Sequence, residues 1–167
     1  TATVYEIKSE RDSLTRLAEQ VEAYRRVFAT VNVIVGENHI DGVRSVLPSD
    51  IGIMQLTRRN HISVEREAID SPERICPSTV LGSLRSAEAV EVLKALNVDM
   101  PEVPNTQRHA VLREKFSHLS PTALHREMVK VLKKSRNLAP LTELVQQVPV
   151  SLQAAALSVP VKRSDHA

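Results

Sequence analysis

Cysteine occurs once in the 167 residues, as Cys76, so the chain can form no internal disulfide and offers no cysteine pair to zinc. Such usage fits a reducing location, the cytoplasm. Aromatic residues make up only 2% of the sequence, so a core has to be assembled from Leu, Val, Ile and Ala. No apolar run approaches the roughly 18 residues of a membrane span, and no secretory signal pattern is present, so no membrane partner is expected. The net charge of +2 is too small to point to a partner. What remains is a 42% hydrophobic chain, long enough for one domain core with a helical extension.

The chain is organised around residues 4–35. Thr3-Val4-Tyr5-Glu6-Ile7-Lys8 alternates, with Val4, Glu6 and Lys8 on one face of a strand and Thr3, Tyr5 and Ile7 on the other. A carboxylate and an ammonium two residues apart therefore point the same way. A surface strand with self-paired charges is one reading of that pair. The other is a site in which the Glu holds a divalent cation and the Lys steadies a water or phosphoryl oxygen beside it. A helix over about 13–29 follows, with Leu14, Leu17, Val21, Tyr24 and Phe28 as its buried stripe. Gln20 lies beside that stripe, one turn before Tyr24, and its amide needs polar partners that Glu6 and Lys8 would supply. The run Val31-Asn32-Val33-Ile34-Val35 then reads as a strand, parallel to the first because a crossover helix joins them.

This order, a strand with Glu-x-Lys, a helix with Gln-x-x-x-Tyr, then an apolar strand, resembles the core of the PD-(D/E)xK, or restriction-endonuclease-like, nuclease superfamily. Tyr5-Glu6-Ile7-Lys8-Ser9-Glu10-Arg11-Asp12, with Arg16-Leu17, Gln20, Tyr24, Phe28 and Val35-Gly36-Glu37, is similar to a bacterial and phage branch of it. The likeness continues through Gly52-Ile53 and Arg66-Glu67-Ala68 into the basic helices after Asn105, and so covers roughly 3–136. It implies an α/β fold, a mixed sheet flanked by helices with a C-terminal helical hairpin. It also implies a nuclease acting on DNA with Mg²⁺ or Mn²⁺. Glu6 and the Ile7 backbone carbonyl would be metal ligands, Lys8 the catalytic lysine, Gln20 a further member of the catalytic group, and Tyr24 its support. The superfamily's other acidic ligand comes from the preceding strand. Only five residues precede Glu6 and none is acidic, so the amino-terminal part of the fold is expected to be missing and metal binding by the isolated chain to be weak. A non-catalytic nucleic-acid- or protein-binding module on the same scaffold is the alternative.

Further along, 37–47 reads as a short helix, and 51–57 with 61–68 as a hairpin turning at Arg58-Arg59-Asn60. His39 and His61 are isolated. Asp12 reads as the cap of the first helix, and Arg11 as solvated. Residues 69–77 read as a linker, 78–97 as one amphipathic helix, and 105–119 and 121–137 as two helices forming a hairpin. Ser78 and Asn105 are the expected caps. The resulting division is a core over 1–98, a basic hairpin over 105–137 and a tail over 138–167. From Arg108 to Arg136 there are eight Lys or Arg against two Glu, a local net charge of +6. Lys130, Lys133, Lys134 and Arg136 at its end form either a phosphate-facing surface or an ordinary solvated helix face. Phe116 alone accompanies these charges, so base stacking is not indicated.

Overall fold

In the computed structural model, residues 1–59, 61–136 and 145–149 are described. Four strands form one mixed sheet: β1 (Thr3–Lys8), β2 (Thr30–Gly36), β3 (Gly52–Leu56) and β4 (Ile62–Arg66), in that spatial order. The first three are parallel and β4 returns antiparallel. Helix α1 (Leu17–Arg25) makes the first crossover and α2 (Ile40–Val46), preceded by a 3₁₀ turn over Glu37–His39, makes the second. Because the strands advance in one direction, right-handed crossovers put both helices on the same face of the sheet. The core agrees: Leu17 and Val21 of α1, Val43 of α2 and Leu47 pack with Val31, Val33, Val35, Ile51 and Ile53.

Burial follows the strand patterns. β2, bracketed by parallel neighbours, is buried along nearly its whole length, which is why it reads as a continuous β-branched run. β1 has a neighbour on one side only among the described residues, and its burial alternates. Its inner face continues the core with Val4, then switches to Glu6 and Lys8 where β2 still presents Val33 and Val35. At β2 and β3, Asn32 stands opposite Gly52, where a Cβ would overlap the Asn32 side-chain oxygen. Only glycine fits there.

Four further helices follow: α3 (Pro77–Ser83), α4 (Ser86–Ala95), α5 (Asn105–Ser117) and α6 (Pro121–Ser135). The single helix expected over 78–97 is thus two. Leu84 and Arg85 are extended, the Ser83 hydroxyl donates to the Val80 carbonyl at 2.7 Å, and the Arg85 N–H donates to the Glu88 carboxylate at 2.8 Å, ending one helix and starting the next. The caps differ as well. Asp12 accepts the Ser9 N–H at 2.6 Å in a turn ahead of α1, whose N-cap position is Arg16. Cys76 and Pro104, not Ser78 and Asn105, occupy the N-cap positions of α3 and α5.

Helix α5 packs chiefly on α3 and α4. The connection near 98–105 therefore lies inside one compact unit, Thr1–Val131, and the second unit is Leu132–Ala167. In the second unit the described residues are the last turn of α6, Arg136 and 145–149, where the Val148 N–H reaches the Val145 carbonyl at 3.1 Å. The rest of the expected tail lies outside the described residues. No helix among the described residues is long and apolar enough to cross a membrane.

Candidate functional site

Helix α1 runs back across β1, and the two elements share a spacing. Residues two apart on a strand are separated by about 6.6 Å, and residues four apart on a helix by about 6 Å. Gln20 and Tyr24 can therefore stand opposite Lys8 and Glu6 in reverse order, and they do. The Lys8 ammonium donates to Gln20 Oε1 at 2.9 Å and pairs with Glu6 Oε1 at 3.0 Å. The Tyr24 hydroxyl donates to Glu6 Oε2 at 2.8 Å. The four side chains expected to converge form one chain of contacts, Gln20, Lys8, Glu6, Tyr24, with the Lys8 and Glu6 side chains only 13% and 14% exposed. Glu6 holds the Tyr24 phenol above its usual pKa, first through this hydrogen bond and then through burial, so Tyr24 stays a donor. The Ile7 side chain points to the opposite face and is 66% exposed.

Of the three N–H donors on Lys8, two are used among the described residues, one by Gln20 and one by Glu6. Lys8 is also one of the residues that line a cleft of about 400 Å³ at the carboxyl ends of the three parallel strands. Ligands of open α/β sheets gather at this end. The cleft is lined by Ile7, Ile34 and Leu56 as an apolar floor, with Arg11 and Arg58 also at its wall. Arg58 lies 3.7 Å from Glu37, both well exposed, and Arg11 has no partner among the described residues.

The donor set suits a hard dication in part. Glu6 offers a carboxylate and Ile7 a backbone carbonyl, both oxygen donors of the kind Mg²⁺ takes. Among the described residues no three His, Cys, Asp or Glu side chains converge to hold a metal ion. His39 and His61 remain isolated from such a group. Mg²⁺ commonly keeps several waters and uses one or two carboxylates together with substrate phosphate oxygens. Glu6 is a donor of that class, and its two oxygens are engaged by Lys8 and Tyr24.

The basic residues expected to meet nucleic acid fall on or just past α6. Lys130 is exposed and pairs with Glu127 at 3.0 Å, and Arg126 pairs with the same carboxylate at 2.9 Å. Lys133 and Lys134 are exposed in the last turn of α6, and Arg136 is exposed just beyond it. Their neighbour His125 is buried and accepts the Ala2 N–H at 3.3 Å, and burial depresses its pKa.

Sequence reasoning missed a brace at the other end of the strands. Arg74, in the segment read as a linker, donates to the Arg25 and Ala29 carbonyls at 3.3 and 3.1 Å and forms a short ion pair with Asp50. Arg25 reaches the same carboxylate at 3.3 Å. The brace fastens the exit of α1 to the starts of β2 and β3, fixing the helix that carries Gln20 and Tyr24. The proline at 72 followed by an arginine that could satisfy helix-terminal carbonyls was the available signal.

A family model described as Bacteriophage P4 protein cII matches residues 1–148. No curated protein and no solved structure matches the chain.

Proposed function

The chain belongs to the bacteriophage P4 protein cII family, and within it we propose that this protein is a nuclease, or part of one, of the PD-(D/E)xK kind that hydrolyses phosphodiester bonds in DNA. The observation that supports this reading most is the joint engagement of Lys8 by Glu6 and Gln20 at the carboxyl ends of parallel strands.

In this reading Lys8 is the group that meets the scissile phosphate. Its remaining N–H donates to a non-bridging oxygen and stabilises the negative charge that grows there as the phosphorus is attacked. Gln20 holds the ammonium in place from behind through its side-chain carbonyl. Tyr24 fixes the second Glu6 oxygen, so the carboxylate cannot swing away. Glu6 and the Ile7 carbonyl are the residues that would hold Mg²⁺ or Mn²⁺, which when bound polarises phosphoryl oxygens and acidifies water. The exposed Lys130, Lys133 and Lys134, with Arg136, contact the DNA backbone in this reading and supply affinity without sequence preference. The single cysteine is in keeping with a cytoplasmic setting.

The test is cleavage of single-stranded, double-stranded and supercoiled DNA by the intact gene product in Mg²⁺ and in Mn²⁺. Cleavage is expected, and Lys8→Ala or Glu6→Ala abolishes it. Folded protein that leaves all three substrates whole sinks the proposal.

A second reading, a binding module without catalysis, is favoured by one observation. Each Glu6 oxygen is already taken, one by Lys8 and one by Tyr24. It predicts salt-sensitive DNA binding that is indifferent to Glu6→Ala and weakened by neutralising Lys130, Lys133 and Lys134.

A further inference from the structure

Just past α4 and its cap residue Leu96, Asn97 has a left-handed φ of 55°. Its N–H bonds the Lys94 carbonyl at 3.0 Å and the next N–H, of Val98, bonds the Leu93 carbonyl at 2.9 Å. This pattern terminates a helix and throws the chain off its axis. The loop that follows carries Pro101 and Pro104, each with φ restricted by its ring, before α5 begins. Between α4, this loop and the first turns of α5 lies a cavity of about 740 Å³. Its volume is that of pockets that take drug-sized ligands, and its stiff loop needs little ordering on binding.

The lining is mixed. Val90, Val98, Met100 and Val103 supply apolar wall, and Arg108 lines the same space. Arg108 is half-buried, its Nε is shut off from solvent without an acceptor, and its guanidinium makes no hydrogen bond or ion pair among the described residues. Most buried polar groups are paired, and a desolvated donor without an acceptor is costly. Two acids, Asp99 and Glu102, also border the cavity but are exposed and do not pair with Arg108. Lys94 is engaged with Glu91 at 3.0 Å. The cavity thus has one unmatched cationic fork beside an apolar wall, with solvated negative charge at its border.

We propose that this cavity binds a small carboxylic acid with an apolar body, the carboxylate on Arg108 and the body against Val90, Val98, Met100 and Val103. The planar guanidinium matches a carboxylate, with its two terminal nitrogens donating in parallel. The two border acids repel a second negative charge and so select a monoanion over a phosphate dianion. The site is separate from the Lys8 cleft and does not depend on the nuclease reading.

Octanoate is the probe, titrated into the intact protein and followed by calorimetry and by the Arg108 guanidinium N–H resonances. The expected result is saturable binding at one site with a shift of those resonances. Octan-1-ol and octyl phosphate should bind about tenfold or more weakly, and Arg108→Gln should weaken octanoate by a similar factor. Unmoved Arg108 resonances in the unaltered protein overturn the proposal whether or not the variant folds. Equal octanoate affinity in a folded Arg108→Gln variant overturns it too, and octyl phosphate binding as tightly as octanoate overturns the carboxylate assignment.

Discussion

Replacing Glu6 by Gln and Lys8 by Met, singly and together, asks whether the contacts at the site are energetically real. The two charges are 3.0 Å apart and their side chains are 13% and 14% exposed. At an effective dielectric of about 20, Coulomb attraction at that distance is about 5.5 kcal/mol before desolvation. Desolvation costs several kcal/mol per ion, so the net coupling should be about 1–3 kcal/mol. Each single change leaves one ion without its partner, though Gln at position 6 still accepts from Tyr24, and should cost about 2–4 kcal/mol. The double change should cost clearly less than the two together. Urea unfolding of the four proteins measures this, and stabilities of about 5–15 kcal/mol for ordinary domains leave room for the singles to fold. Single-variant costs that add to the double within about 0.5 kcal/mol would refute the coupling. The same changes in the intact gene product test the proposed nuclease reading, under which cleavage should fall by about a hundredfold or more in each single. If the double variant regains cleavage, Lys8 acts only by neutralising Glu6.

Three other outcomes are expected. Tyr24→Phe removes a hydrogen bond to a carboxylate and should cost about 1.5–3 kcal/mol. Because its folded pKa is raised from 10.0, Tyr24 contributes stability that is fully present below the unfolded value and is lost as pH rises through the folded one. Phenolate absorbance during alkaline titration should show this, and a Glu6→Gln variant with unchanged titration would refute the cause. Gly52→Ala drives a methyl into Asn32 and Ala68 and should cost about 1–3 kcal/mol in thermal or urea unfolding; an unchanged midpoint would contradict the register. The Cys76 thiol is pulled down to about 6 by hydrogen bonds from Ser78 first, then Thr79 and Arg26. Alkylation by iodoacetamide should therefore rise through that pH, and Arg26→Ala should move the midpoint upward, whereas a midpoint at the ordinary thiol value would overturn the assignment.

The parts of the fold with strong periodicity were legible, and the parts set by local competition were not. β1 alternates because one face is covered, and β2 is continuous because both are. Helix α1 was read as starting near 13 but starts at Leu17. Ser13 and Asp12 offer the backbone local alternatives, with Thr15 N–H on Ser13 Oγ at 3.2 Å and Ser9 N–H on Asp12. The break after Ser83 was hidden because Val80, Leu81, Leu84, Val92 and Leu93 keep an apolar pattern through it, while the cause is a single carboxylate, Glu88, turned onto a backbone N–H. At the site, Glu6, Lys8, Gln20 and Tyr24 were readable since a short strand and the helix beside it carry all four. The Arg74–Asp50 brace joins residues 24 apart with no periodic relation. Arg108 looked like one more member of a charged stretch, and only its lack of a partner distinguishes it.

The match between a two-residue step on β1 and a four-residue step on α1 makes the site sensitive to frame. Deleting a single residue of the helix before Gln20 would rotate the amide and the phenol by about 100° around the axis, carrying both off Lys8 and Glu6 at once even with every side chain still encoded. Length variation should therefore be confined to the turns at 9–16 and beyond Arg25, where added residues leave the angular phase of the helix untouched.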